Sequence, residues 1–171
     1  IERLNSYILA DLNKAKERVG EATKTALDAE TLRNDIRRDM ENTAHLIGSL
    51  KTFKSDENNY ATETKTRVYP FLEDNKLTAL EKTYVNDMTG RIKVEDEWYQ
   101  QTADKLSVGK AGFMSAKQAL LDVLNPMLTV NELYSDSRVD GPALRSMLED
   151  YFREKSDLLE KIITAYVARY S

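Results

Sequence analysis

Over its first 53 residues the chain carries one apolar seam and no proline, and no other feature narrows its possible folds as much. Ile8, Leu12, Ala15, Val19, Ala22, Ala26 and Ala29, then Ile36, Met40, Ile47 and Leu50, follow one another in alternating steps of four and three residues. Arg33 and Thr43 are the two interruptions. This is the spacing of a helix stripe packed in coiled-coil fashion against a second helix. It predicts a first helix over about 1–54, roughly 80 Å long at the α-helical rise. Gly20 is its weakest link, because glycine costs up to ~1 kcal/mol relative to alanine inside a helix. The alanines in the middle of the seam let a partner helix approach closely, while the Ile, Leu and Met at its ends need more room.

Ser55-Asp56-Glu57-Asn58-Asn59 is a run of capping and turn residues and predicts a hairpin connection. A second helix is expected over about 57–88, kinked near Pro70 or broken around Val68 to Pro70, where a backbone donor is missing and the ring clashes with the preceding turn. Thr89-Gly90 is expected to close it. Ile92, Tyr99, Leu106, Phe113, Leu120 and Met127 then recur every seven residues. They predict a third helix over about 93–124, stopped by Asn125-Pro126; Gly109 and Gly112 are the place for a break, at Ser107 to Gly112, but the spacing runs in phase across them and favours one helix. Asp140-Gly141-Pro142 opens a fourth helix over about 142–169, with Leu144, Leu148, Tyr151, Phe152, Leu159, Ile162, Tyr166 and Tyr170 on its buried stripe.

These elements predict an all-α fold: one helical-bundle domain over 1–171, an elongated antiparallel four-helix bundle (up-down-up-down) whose very long first helix packs as a coiled coil. The helix lengths do not match. Unless the chain folds back at Gly20, about 20 residues, or ~30 Å, of the first helix overhang the others. Leu4, Ile8, Leu12 and Val19 then form an exposed interaction face, expected to pair with a second copy of the chain or with another helical protein.

Composition removes whole classes of function. The net charge of −4 and pI near 5.2 leave no basic excess for phosphates or anionic lipid, so nucleic acid is not an expected partner. With no cysteine, there are no disulfides, thiolate metal sites or cysteine nucleophiles. No apolar run approaches the ~20 residues of a membrane span, so membrane contact is expected only through segments outside this chain. Opening on Ile1 rather than Met, the chain is expected to be a processed protein or an excised piece, with the periplasm or cell surface favoured over the cytoplasm.

The candidate chemistry is sparse. Glu41 and His45 share a helix face at a spacing zinc and di-iron sites use, but such sites need three or four converging ligands. His45 is the single histidine and no second Glu-x-x-His exists, so the pair reads as a helix face and no metal or other cofactor is expected. Glu95-Asp96-Glu97 before Trp98-Tyr99 complements a helix dipole, or alternatively forms a cation or amine site with Trp98 as a wall. Trp98, the one tryptophan, is expected to be a buried anchor. Ser107-Val-Gly-Lys-Ala-Gly lacks the first glycine and the final Ser/Thr of a phosphate loop. Tyr151 and Tyr166 lie on the last apolar stripe, where a ring is buried and its hydroxyl reaches water or a ligand. Trp98, Tyr99, Tyr151 and Tyr166 are therefore the candidate ligand-binding residues. No triad, metal cluster or nucleotide fingerprint is present, so no enzyme is expected; catalysis would have to rest on carboxylates alone. The expectation is a non-catalytic binding module, an extracytoplasmic helical-bundle sensor or ligand-binding domain of a membrane-anchored protein. The alternative is a coiled-coil scaffold or assembly subunit acting through helix–helix contacts.

Overall fold

The computed structural model describes residues 4–11 and 25–170. They form α1 (residues 4–11), α2 (Thr25–Val68), α3 (Ala79–Lys105), α4 (Ala111–Leu124) and α5 (Gly141–Tyr170), with two short strands, β1 (Lys76–Leu77) and β2 (Ser137–Arg138). The fold is all-α. The chain divides into two compact units: unit 1 is Ile1–Phe53 with Ile163–Ser171, and unit 2 is Lys54–Ile162.

The hairpin expected at 55–59 does not form, and α2 runs through it. Ser55, Asp56, Asn58 and Asn59 sit exposed on the helix, where each costs a few tenths of a kcal/mol relative to better helix formers. The same stretch buries Glu57, Thr64 and Val68 on its other face. Tertiary burial overrides the local turn preference. Pro70 does not kink a helix; it ends one. The missing donor and the ring clash stop α2 at Val68, and Tyr69–Leu72 continues as a 3₁₀ turn with the proline in its first turn. Asn75 then takes a left-handed φ of 56° and turns the chain into β1.

β1 pairs antiparallel with β2, Lys76 opposite Arg138 and Leu77 opposite Ser137. Asn75 secures the junction twice: its carbonyl accepts from Val139 N–H at 3.0 Å and its Oδ1 from Gly141 N–H at 2.9 Å. A Cβ on Gly141 would stand 2.1 Å from the Leu72 carbonyl oxygen, so only glycine fits there. Thr78 and Glu81 open α3 with a reciprocal capping box, the Thr78 hydroxyl accepting from Glu81 N–H at 3.2 Å and the Glu81 carboxylate from Thr78 N–H at 2.9 Å.

The stop expected at Thr89-Gly90 is also absent. Val85, Met88 and Ile92 are buried on either side of Gly90, and that burial exceeds the ~1 kcal/mol glycine penalty. The expected third helix over 93–124 is instead two helices. α3 ends in a Schellman motif, with Val108 N–H donating to Ala103 O at 2.8 Å, Ser107 N–H to Asp104 O at 3.2 Å, and Ser107 at a φ of 57°. α4 folds back along α3. Lys117 Nζ lies 3.9 Å from Asp96 Oδ2, where an uninterrupted helix would hold the two residues about 32 Å apart. The sevenfold spacing crosses the break because Ile92, Tyr99, Leu106, Phe113 and Leu120 all enter the same core. α5 begins after Asp140, whose Oδ1 accepts from Ala143 N–H at 3.1 Å.

In unit 1, Leu4 and Tyr7 of α1 and Asp39, Asn42 and Leu46 of α2 line one hollow of about 300 Å³. A straight helix over 1–54 would hold Leu4 and Asn42 about 57 Å apart. The single long first helix is therefore not what this chain forms, and residues 4–11 do not overhang: they lie beside α2. Leu4 and Ile8 are half-buried. Gly20, Leu12 and Val19 lie outside the described residues.

Candidate functional site

The core of unit 2 contains a cluster of charges. Lys155 of α5, 4 % exposed, points its Nζ at three carboxylates: Asp96 Oδ1 at 3.1 Å, Glu95 Oε1 at 3.2 Å and Glu57 Oε1 at 3.7 Å. Two phenols complete the arrangement. Tyr151 OH donates to the Asp96 carboxylate, 2.9 Å from each oxygen, and Tyr99 OH donates to Glu57 Oε1 at 2.7 Å. Two further cations stand at longer range, Arg91 Nη2 at 3.6 Å from Glu57 Oε2 and Lys117 Nζ at 3.9 Å from Asp96 Oδ2. Arg91 also lies over the Tyr60 ring, 3.4 Å from its centroid.

Electrostatics follow from burial. Loss of solvent raises Asp96 and Glu57 above the ordinary carboxylate values, and Lys155 opposes the shift in both without cancelling it. Burial first, then the facing carboxylates, push Tyr99 and Tyr151 far upward, so both phenols remain protonated donors. Around the rings, Tyr99 and Phe113 stack at 5.8 Å and Phe113 meets Tyr151 at 6.1 Å, which keeps the ionic contacts in a low-dielectric setting.

The cluster is not sealed. Glu57, Tyr99 and Lys155 form the floor of a cleft of about 430 Å³ between α2 and α5, with Tyr60 and Phe152 among its walls. Lys65, Glu149, Arg153 and Asp157 give its lining both signs of charge. Outside the cleft, Lys82 is fully buried and donates to Glu132 O at 2.9 Å and Ser137 Oγ at 2.6 Å, which ties the 129–137 segment to α3.

Of the residues singled out by sequence, Tyr99 and Tyr151 come together in the cluster. Trp98 is adjacent but not a buried anchor: it is 38 % exposed, with its ring edge-on to Tyr99 at 5.3 Å. Its neighbour Asp96 takes the inward position of that helix turn and Trp98 the outward one. Tyr166 belongs to unit 1 and is half-buried. Glu95 and Asp96 of the acidic run do face an amine, but that amine is the chain's own Lys155, and Glu97 is exposed. Glu41 and His45 both face solvent on α2, and among the described residues no group of three His, Asp or Glu side chains is placed to hold a metal. No described helix is long and apolar enough to cross a membrane.

Sequence reasoning missed Glu57, Arg91, Lys117 and Lys155. For Lys155 a signal existed: it sits three residues after Phe152 and four before Leu159, a core position on the α5 stripe. Compared with protein-family models, with curated proteins and with solved structures, the chain matches none.

Proposed function

We propose that this chain is a non-catalytic binding module that takes a small molecule into the cleft between α2 and α5, as the ligand-binding domain of an extracytoplasmic sensor. In this reading the helical stretches of unit 2 form the walls of an up-down four-helix bundle, with the ligand between two of them. The observation that carries it is the cleft itself: about 430 Å³, aromatic on its walls, with a polar floor of fixed geometry. The floor groups are paired with one another, which suits recognition better than proton transfer to a substrate. A thermal-shift screen of small metabolites on the intact chain tests this, beside Ala61→Phe, which fills the cleft without touching the charge cluster. A ligand at a hundredfold excess over its Kd adds about 2.7 kcal/mol, several degrees in Tm. The expected result is at least one compound that raises Tm in the intact chain and not in Ala61→Phe. A silent screen at millimolar concentration, or identical shifts in both proteins, ends the reading.

A second reading, a helical scaffold acting through self-association, is favoured by one observation in unit 1. Ile36, Met40 and Ala44 line an open hollow along α2, and Met40 is 53 % exposed. Sedimentation of the intact chain beside Met40→Glu decides it: a concentration-dependent dimer lost in the variant supports the scaffold, and monomer masses for both at high concentration reject it.

A further inference from the structure

The geometry points to a small organic amine, free amino acids included, as the ligand of the α2–α5 cleft, with its ammonium group received by Glu57 and its carbon skeleton against Tyr60 and Phe152. This rests on the cleft reading above and names its chemistry.

The cluster has two sides. Asp96 and Glu95 hold Lys155 at 3.1 and 3.2 Å, while Glu57 is the most distant of the three carboxylates, at 3.7 Å. Glu57 is also the one of the three that lines the cleft. Its two oxygens are not equivalent. Oε1 accepts from Tyr99 OH at 2.7 Å, whereas the cation nearest Oε2 is Arg91, at 3.6 Å, and the Glu95 carboxyl also meets this group as a like-charged neighbour. Glu57 is 7 % exposed and lines the cleft. A carboxylate this buried, set against a second carboxyl and with its cations no closer than 3.6 Å, is complemented by a ligand that brings N–H groups and positive charge.

Other ligand charges fit worse. An anion would have to approach Glu57 with Glu95 and Asp96 behind it, while the cation on the cleft floor, Lys155, is already engaged by all three. A neutral donor would bond to Glu57 but leave its charge as it is. The aromatic walls add a reason, since an ammonium and the polarised CH groups beside it are attracted to ring faces. The chain already makes such contacts beside the cleft, Arg91 on Tyr60 at 3.4 Å and Lys155 on Tyr99 at 5.0 Å among them. The mixed charges of the lining accept a ligand carboxylate as well, which is why amino acids fall within the class. Burial holds the Glu57 carboxyl above its ordinary value, with Arg91, Glu95 and Tyr99 facing it from α3 and Lys155 from α5, so acid weakens the site.

The test is isothermal titration calorimetry of the intact chain with matched probes: the common amino acids, their decarboxylated amines and their deaminated acids. The expected result is binding confined to the amine-bearing members, weaker at pH 5 than at pH 8 by several-fold, and at least tenfold weaker in Glu57→Gln. That variant keeps the acceptor for Tyr99; were it not to fold, the matched probes and the pH series need no substitution. The inference is overturned if a deaminated acid binds as well as its amine, if Glu57→Gln binds undiminished, or if no probe binds. A metabolite without an amine that raises Tm and is blocked by Ala61→Phe would leave the cleft as a binding site and reject only its assigned chemistry.

Discussion

Among the described residues every buried apolar side chain but one belongs to unit 2; the exception is Leu50 in unit 1. Yet unit 1 carries the more regular heptad seam. The difference teaches that periodicity reports which face of a helix packs, and not how much that packing buries. A seam rich in alanine and ending in half-exposed Ile and Met removes little area from water, and stabilisation scales with area at about 25 cal/mol per Å². In unit 2 the stripes are less regular and contain charges, but they converge from α2, α3, α4 and α5 on one interior.

Substitutions at matched depth of pattern should expose the contrast, and the largest effect falls on the charge cluster. Lys155→Met removes one ammonium and leaves Glu57, Glu95 and Asp96 facing each other in a buried setting. Removing one partner of a buried ion pair costs about 3–5 kcal/mol. Met40→Ala, on the seam of unit 1, should cost less than about 1 kcal/mol, because the side chain is already half in solvent. Urea unfolding of both variants decides the matter, and comparable losses would show that unit 1 holds a core as strong as that of unit 2.

How far this contrast is legible in the sequence depends on which signals compete. Helical class, the stop at Pro70 and the acid cap at Asp140 rest on backbone chemistry that local residues dictate. The run through 55–59 misleads because its turn-forming side chains speak louder than the register around them. Leu50, Glu57, Ala61, Thr64 and Val68 stay in step with the earlier seam, and four of these five are buried. A polar residue in register is the trace a buried cluster leaves, and the same holds for Asp96 between Ile92 and Tyr99. The break at 106–110 is marked only by Gly109 and Gly112, and the sevenfold spacing that runs across them outweighs that mark. The break depends on Ser107 adopting a left-handed φ that composition does not announce. The pairing of Lys155 with its carboxylates joins three helices and exists only once they are packed.

Gly141 provides the next largest effect and sharpens the comparison from the backbone side. Its substitution by alanine places a Cβ 2.1 Å from the Leu72 carbonyl, a contact with backbone that no rotamer relieves. The start of α5 must shift and strain the Asn75 hydrogen bonds, at about 1–3 kcal/mol, the range for overpacking. In unit 1, a Cβ added at Gly48 would meet nothing within 4 Å, and Gly48→Ala should be neutral to stabilising by up to ~1 kcal/mol. Equal destabilisation by the two alanines would contradict the close approach seen at Gly141.

Acid should act in opposite senses within unit 2, which keeps its net effect small. Asp96 and Glu57 are raised above 3.8 and 4.5 by burial, so the native state binds protons more readily than the unfolded chain. Their contribution is fully present below those values and is lost as pH rises through the raised native ones. Asp136 is lowered by the Ala79 N–H bond and by Lys76, and Glu149 by the Tyr69 hydroxyl; their contribution is present above 3.8 and 4.5 and is lost as pH falls through the native values. Calorimetry from pH 7 downward should therefore show Tm level or rising until about the ordinary carboxylate range, then falling. A steady fall from neutrality would mean that the cluster needs all three negative charges to hold Lys155.

The smallest effect tests whether the break between α3 and α4 is imposed by packing or by the cap. Ser107 occupies the left-handed region at φ 57°, at the position that follows the end of a Schellman-capped helix, where glycine is the usual residue. A side chain there costs about 1 kcal/mol, and Ser107→Gly removes that strain at the expense of a more flexible unfolded chain. The net gain should be about 0.5 kcal/mol, read as a higher urea midpoint at unchanged slope. Because the Val108 and Ser107 amides bond to Ala103 and Asp104 through the backbone alone, the cap survives the substitution. A loss of stability instead would show that Ser107 is held left-handed by its side chain, and that the fold-back of α4, which brings Lys117 to Asp96, depends on it.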